Sequence, residues 1–412
     1  MPNAETGSFG ALSIRNYRML FLGTLASFTG FFISTVVQGV VAFELAGSNT
    51  AVGGVIFGQG IGMFLSGPMG GAFADRLPKR RVLATCQTFS AACFATIGSL
   101  YANGLLEIGH LVLNGFFIGC SFGFIGPTRQ ALVVDLVPPR LLGNAMALTT
   151  VANTMSRVSG PLLAGILLAA DWAGPAAAYF TMAGLYLVSA SLLLALPRSV
   201  VRANVGDTHV IQDLTAGLRY TWHNVRLRHL LVFFVGVMLI GFPHVTLIPG
   251  LLENQLDRSA EDLTRFAFMS AVGALVASLS VARYADSPSA TRIYGWLAIG
   301  FGATLVLLAG MPDFALAVSC MLVVGATSGG FHALHGAVIA RETDPEYMGR
   351  VMSVSMLSFS GFSLSALPLG ALADAFGERW VLLGMGIGVI GLATLMAAVV
   401  ARDAVAGPAE PA

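Results

Sequence analysis

Charge is scarce in this sequence. Of 412 residues only 10% are Asp, Glu, Lys or Arg, and they balance to a net charge of +1. No general basic field is available to hold a nucleic acid, so the position of each charge matters more than the sum. Cysteine is scarcer still, with four residues. Cys86, Cys93, Cys120 and Cys320 all fall inside apolar runs, where they read as small buried side chains and not as a disulfide or metal framework. No Gly-rich loop ending in Gly-Lys-Ser/Thr is present to cradle a nucleotide, which argues against ATP-driven work by this chain. A nucleophile elbow and a metalloprotease helix are missing too, so no enzyme activity and no cofactor is expected. The polar opening "MPNAETGSFGALSIRNYR" is followed by no small-residue cleavage pattern, and the long apolar run after it reads as an uncleaved first span.

What fills the chain is apolar. Hydrophobic residues make up 56%, glycine contributes 49 residues, and mean hydropathy is +0.79, values that water-soluble domains do not reach. A helix crossing about 30 Å of hydrocarbon needs about 20 apolar residues. Twelve such runs are read, at 18–44, 51–74, 82–102, 108–128, 145–170, 174–196, 229–252, 262–283, 292–311, 314–340, 351–373 and 380–401. Runs this long exclude the alternating strands of a membrane barrel, so the fold class is an all-α membrane protein with twelve transmembrane helices. The only long polar connection divides it into an N-terminal six-helix half, 1–196, a cytoplasmic central linker, 197–228, and a C-terminal six-helix half, 229–412.

The basic residues orient this arrangement. With the N-terminus inside, the outer connections hold only Arg258, Arg265 and Arg379, Arg157 lies within a span, and the remaining 18 of 22 lie at the inner side. Both termini and the linker are then cytoplasmic. The halves also echo each other. "PPRLLGNAM" after the fourth span and "DPEYMGRVM" after the tenth share Pro139/Pro345, Gly143/Gly349 and Met146/Met352 at a constant offset of 206 residues. Ala74-Asp75 after the second span pairs with Ala285-Asp286 after the eighth, at an offset of 211. Duplicated halves are a common construction among transporters.

One short stretch concentrates the scarce charge. "GAFADRLPKRR", residues 71–81, carries Asp75, Arg76, Lys79, Arg80 and Arg81 between two apolar runs. Gly71 allows close helix approach, and Asp75, read as lying just past a helix end, is suited to accept hydrogen bonds from another helix's N-terminus. The basic cluster has two available partners, anionic lipid headgroups and an acid such as Asp135 at the inner end of the fourth span; enforcing topology is its simplest use.

These residues resemble the loop between helices two and three of the major facilitator superfamily, G-x-x-x-D-[RK]-x-G-[RK]-[RK], matched at Gly71, Asp75, Arg76, Lys79 and Arg80, with Pro78 where Gly is usual. "FELAGSNTAVG", "PTRQALVVDLVPPRLLGNA" and "RVSGPLLAG" extend the resemblance to the drug and siderophore exporter branch, including enterobactin-type exporters. The resemblance implies a loop that latches the two halves in the outward-open state. It also implies a multi-pass bacterial inner-membrane antiporter acting in siderophore export or multidrug resistance.

The fifth span holds Arg157 about a dozen residues from each end, near mid-bilayer, where a charge is costly unless it faces protein or water. Around it, "SRVSGPLLAG" resembles the antiporter motif G-x-x-x-G-P-x-x-G-G at Gly160, Pro161 and Gly165, with Ser156 and Ala164 standing in for Gly. Arg157 is a candidate cation for an anionic or phenolate substrate; tying backbone carbonyls together is the structural alternative. Gln38, Gln59, Asn114 and Asn153 are candidates to line a substrate pathway or to bridge helices. His244, His332 and His335 are candidates for proton exchange, since imidazole titrates near neutrality. Without carboxylates at ligand spacing no metal site is read. Compared with drug antiporters, the first span has no acid before Glu44, and Asn114 stands about where helix four carries an Arg, so the proton-coupling residue is not identified. The linker segment 207–230 spaces Ile211, Leu214, Leu218 and Val225 near helical periodicity and reads as an amphipathic helix on the inner membrane surface.

The expected function is secondary active transport, proton-coupled export of an amphipathic organic molecule by alternating access. Its partners are the small-molecule substrate, protons and membrane lipids, and the protein is read as a monomer. Proton-coupled uptake and a non-transport integral membrane role are the alternatives.

Overall fold

The computed structural model describes residues 9–170, 174–197, 210–285, 287, 289–344 and 346–406; within these, the side chains of 68, 71–76, 210–214, 349, 353, 356–360 and 400–406 are outside the description. Much of the predicted linker, Pro345 and Asp286 of the internal correspondences, and the side chains of Gly71, Asp75 and Arg76 therefore lie outside the described residues.

Helices account for the fold, and no strand occurs among the described residues. The first six are α1 (Arg15–Ala46), α2 (Asn49–Arg76), α3 (Lys79–Ala102), α4 (Ile108–Leu136), α5 (Leu142–Ala169) and α6 (Gly174–Leu194). After α7 (Val210–His223) come α8 (Val225–Ile240), the single turn α9 (Ile248–Gly250), α10 (Leu263–Ala282), α11 (Ala290–Ala309), α12 (Phe314–Arg341), α13 (Met348–Phe376) and α14 (Glu378–Ala406). Ten of the described helical segments are long and apolar enough to cross a membrane. The helix ends follow local chemistry. Gly47 closes α1 in the left-handed region at φ 58°, the Asn224 carboxamide accepts from Leu227 N to start α8, and Asp313 accepts from Leu316 N to start α12.

The seventh apolar run departs from a simple helix. Pro243 and Pro249 each lack the N–H that an α-turn requires. The run therefore passes from α8 through a 3₁₀ stretch, Phe242–Thr246, and α9 into a π-helical turn at Leu251–Gln255.

Burial follows a lipid-solvated logic. Small and hydroxyl residues such as Gly23, Ser27, Gly30 and Ser34 of α1 are buried, while Leu65, Leu113, Ile166, Leu279, Trp296, Trp380 and Leu395 are exposed. With hydrocarbon as solvent, large apolar side chains gain nothing by hiding, and helix contacts rely on close backbone approach. The chain divides into two compact units, one of Met1–Ile211 with Ala260–Phe268 and another of Gln212–Ser259 with Met269–Ala412.

In the first unit, α2 and α4 meet along glycines. A Cβ on Gly58 would stand 2.7 Å from the Val112 carbonyl oxygen, and one on Gly115 2.6 Å from that of Val55; Gly62 and Gly119 sit still closer to the Phe116 and Gln59 carbonyls. In the second unit, Gly273 meets the Leu322 carbonyl and Gly325 that of Ser270 in the same way, between α10 and α12. Gly62 and Gln59 become Gly273 and Ser270 at the offset of 211, while Phe116 and Gly119 become Leu322 and Gly325 at the offset of 206. One packing solution thus occurs twice, at the two spacings read from loop motifs elsewhere.

Candidate functional site

The charged loop is shorter than its sequence suggests. Backbone helix continues to Arg76, so Asp75 lies in the last turn of α2 and not beyond it. The first residue able to stop the helix is Pro78, whose ring disfavours α conformation at Leu77. α3 then starts at Lys79, the chain's single lysine, whose Nζ lies 2.6 Å from Asp135 Oδ2 at the end of α4. Arg80 donates to the Leu194 carbonyl at the end of α6. Beneath these contacts Tyr17, Leu83, Leu132, Val133, Ala145 and Leu193 pack into a buried cluster that unites the same ends of five helices. Among the described residues, an ion pair from Lys79 and a charge-assisted hydrogen bond from Arg80 clamp the loop to its own unit.

Arg157 faces the middle of α1. Its guanidinium lies 5.7 Å from the Phe32 ring centroid and has no hydrogen bond or ion pair to a described residue. Gly160 and Pro161 are buried one turn further along α5, where Gly160 packs directly on Phe32, and Gly165 follows in the next turn. Ser156 accepts from Thr29 and donates to the Leu25 carbonyl, both at 3.2 Å, which holds α5 against α1 beside the arginine.

A second arginine escapes the sequence reading. Closing the fourth span at Thr128 assigns Arg129 to the inner side. In the structure α4 runs on to Leu136 and Arg129 is 4% exposed, so Arg129, like Arg157, lies within a long helix of this unit and not past its end. The apolar run Ala131–Val134 after "TRQ" is the signal for the longer helix. Arg129 Nη2 donates to Ser27 Oγ at 2.9 Å, its carbon Cζ stands 4.6 Å from the Phe28 centroid, and Nη1 is buried without a partner among the described residues. Insertion scales put a mid-span arginine at about 2.5–3.5 kcal/mol even when it snorkels.

The other predicted residues are scattered. Gln38 and Asn114 are buried with amide atoms lacking a described partner, whereas Gln59 and Asn153 are half-buried. His244 is buried in the 3₁₀ stretch, Nδ1 2.9 Å from the Gly241 carbonyl, and His332 is half-buried on α12. His335 is buried with both nitrogens engaged, Nδ1 3.1 Å from Tyr294 Oη and Nε2 2.7 Å from Ser355 Oγ, and its ring stacks on Phe234. These geometries bring Lys79 to Asp135 and Arg157 to α1, but they gather no common cluster of histidines. A groove of about 710 Å³ between α13 and α14, bounded by Leu369, Phe376 and Trp380, is apolar and touches none of these residues.

Sequence reasoning also missed polar contacts at two places in the second unit. Glu378, 2% exposed at the start of α14, accepts from Asn254 Nδ2 at 2.6 Å, where the π-helical turn supplies the partner. The helix α7 is docked onto the α12–α13 connection. Tyr220 stacks on Tyr347 at 4.2 Å, donates to Asp344 Oδ2 at 3.0 Å and accepts from Asp344 N at 3.1 Å. Asn224 donates to the Glu342 carbonyl, and Gly217 leaves room for the backbone of Arg350.

A helical bundle with many apolar spans, glycine-packed contacts and guanidinium groups that have no carboxylate partner among the described residues is the build of a multi-pass membrane transporter. The chain belongs to the transmembrane secretion effector family of the major facilitator superfamily, whose profile matches residues 6–407. It is 23% identical over 376 residues to the staphyloferrin A transporter of Staphylococcus aureus, covering 90% of this chain and 93% of that one. It is likewise 23% identical over 401 residues to the multidrug resistance protein MdtH of Salmonella paratyphi C, covering 92% of each. Among solved structures, a bacterial homologue of the human lysosomal transporter Spinster, inward-facing and unoccupied, superposes with a TM-score of 0.74 at 14% identity, over 93% of this chain and 95% of that one. A POT family transporter in complex with 5-aminolevulinic acid gives 0.75 at 12%, over 96% and 97%. The protein is therefore a transporter and not an enzyme, a multi-pass inner-membrane protein acting on small molecules.

Proposed function

We propose that this transporter exports an amphipathic organic molecule, a siderophore, drug or metabolite, by proton-coupled alternating access. Adding α5 and α13 to the ten segments above makes twelve spans in two six-helix halves, 1–196 and 229–412, with both termini and the linker 197–228 inside. The halves rock about a substrate pathway to which Arg157, Gln38, Gln59, Asn114 and Asn153 contribute from one half and His244, His332 and His335 from the other. Gly71, Asp75, Arg76, Lys79, Arg80 and Asp135 form the conformational switch loop, and the protein works as a monomer. The observation that carries this reading is Arg157, a cation kept near mid-span with no counter-charge of its own. The names of the two relatives, a staphyloferrin A transporter and a multidrug resistance protein, support a siderophore or drug as the cargo.

The test is flux in proteoliposomes. With a pH dye inside, adding substrate candidates to an imposed proton gradient should produce proton movement that Arg157→Ala reduces. Solute movement without any proton movement removes the coupling, and net accumulation against the direction of export reverses the assignment. Tags should label from outside between Asp257 and Asp262 and from inside between Asp207 and Gln212; labelling of both from one side removes the span count.

A further inference from the structure

Arg129 and Arg157 belong to one surface. Arg129 meets Phe28, Phe28 lies 6.4 Å from Phe122, Phe122 lies 4.6 Å from Phe31, Phe31 lies 5.4 Å from Phe32, and Phe32 meets Arg157. The sequence of contacts is cation, four phenyl rings, cation. Phe28 and Phe32 are four residues apart on α1, a rise of about 6 Å, and they lie about 20–26 Å along a helix about 48 Å long. Both guanidinia are thus held at the middle of α1. Arg129 is seven residues from the end of α4 yet contacts this level, so it does not turn to the nearer membrane surface as a snorkelling arginine does.

Neither cation has a carboxylate within ion-pair distance among the described residues. Arg129 keeps one buried nitrogen without an acceptor, and the only hydrogen bond it makes to a described residue is to a serine. The four rings are each half-buried, so the rings are reachable from outside the unit, and the Arg129 guanidinium lies buried at their edge with one nitrogen still free, among the described residues, to donate to a partner. A lipid-facing stripe with two guanidinia is the costliest arrangement available, whereas one opening onto water or a solute is not. Guanidinium forks match carboxylates, and phenyl faces and edges accommodate flat apolar bodies.

We propose that the α1–α4–α5 face is a binding site for an organic anion, with two acidic groups taken by Arg129 and Arg157 and a flat hydrophobic middle laid on Phe28, Phe31, Phe32 and Phe122. This rests on the transport reading and narrows its substrate class. Arg129 is then a specificity-determining residue that recognises charge, and Phe122 one that recognises the body between the charges.

The probes are terephthalate, an aromatic dianion; trans-cyclohexane-1,4-dicarboxylate, its non-aromatic counterpart; and tetraphenylphosphonium, an aromatic cation. Binding to the full-length protein in nanodiscs is read by calorimetry and thermal shift. Terephthalate should bind more tightly than the other two. Arg129→Gln should weaken it about tenfold, the worth of one charge-assisted pair, and Arg129→Lys should restore part of the loss. Phe122→Ala should weaken terephthalate by more than it weakens the cyclohexane dianion, because only the aromatic probe also loses a ring-ring contact. If Arg129→Gln does not fold, the order of the probes on the native protein and the Arg129→Lys and Phe122→Ala variants decide. No binding of either dianion, a preference for the cation, or native affinity in Arg129→Gln overturns the proposal. Solute flux unaffected by Arg129 substitution would overturn this inference while leaving the transport reading standing; absence of flux for every solute would instead remove the transport reading.

Discussion

Alanine at Gly119 should loosen the first unit, and the size of the effect follows from the contacts. At Gly115 an added Cβ stands 2.6 Å from the Val55 carbonyl oxygen, so reaching an ordinary separation of 3.4 Å requires the helices to part by about 0.8 Å. Gly119 is tighter against Gln59, and backbone cannot swing aside as a flexible side chain does. Overpacking costs about 1–3 kcal/mol, offset by the gain of about 0.5–1 kcal/mol from replacing a mid-helix glycine. The net is about 1 kcal/mol lost for Gly115→Ala and about 2 kcal/mol for Gly119→Ala. Gly325→Ala should match Gly119→Ala, because Ser270 meets Gly325 as Gln59 meets Gly119. Gly184 of α6 has nothing within 4 Å of a built Cβ and is the control, expected to be neutral or slightly stabilising. Thermal unfolding of the purified variants in one detergent measures all four. A Gly119→Ala protein as stable as Gly184→Ala would refute the packing argument, and a large gap between Gly119→Ala and Gly325→Ala would refute the equivalence of the two units.

Three further outcomes are expected. Asp135→Asn removes the partner of Lys79 from a mostly buried pair, worth about 1 kcal/mol, and if the loop is a conformational switch, Asp75→Asn should slow turnover more than Asp135→Asn does at equal expression; efflux at the native rate in both variants would exclude a switch. Tyr220→Phe loses two hydrogen bonds to Asp344, about 1–2 kcal/mol, so amide hydrogen exchange across Gly217–His223 should rise, and unchanged exchange would mean that α7 is held otherwise. His335→Ala strands Tyr294 and Ser355 and empties the space against Phe234, so stability should fall by about 2–4 kcal/mol; a melting temperature equal to the native one would contradict the packed geometry.

The membrane class, the course of most helices and the position of the charged loop depend on local composition, and they were legible residue by residue. Hydrocarbon solvation imposes one length and one polarity on every span, so a window along the chain suffices. Family membership was legible for a similar reason: Asp75, Lys79 and Arg80 stand in a spacing that survives outside any particular packing. Tertiary structure decided what composition leaves open. It placed Arg129 inside a helix, because the unbroken turns of α4 continue past a charge that a hydropathy window treats as an end. It joined Lys79 to Asp135, seated α7 on Asp344 and Tyr347, and strung four phenyl rings between two arginines, contacts between residues far apart in sequence. The close α2–α4 and α10–α12 contacts form where glycines let backbones approach, and a sequence shows the glycines without showing which carbonyl each will meet.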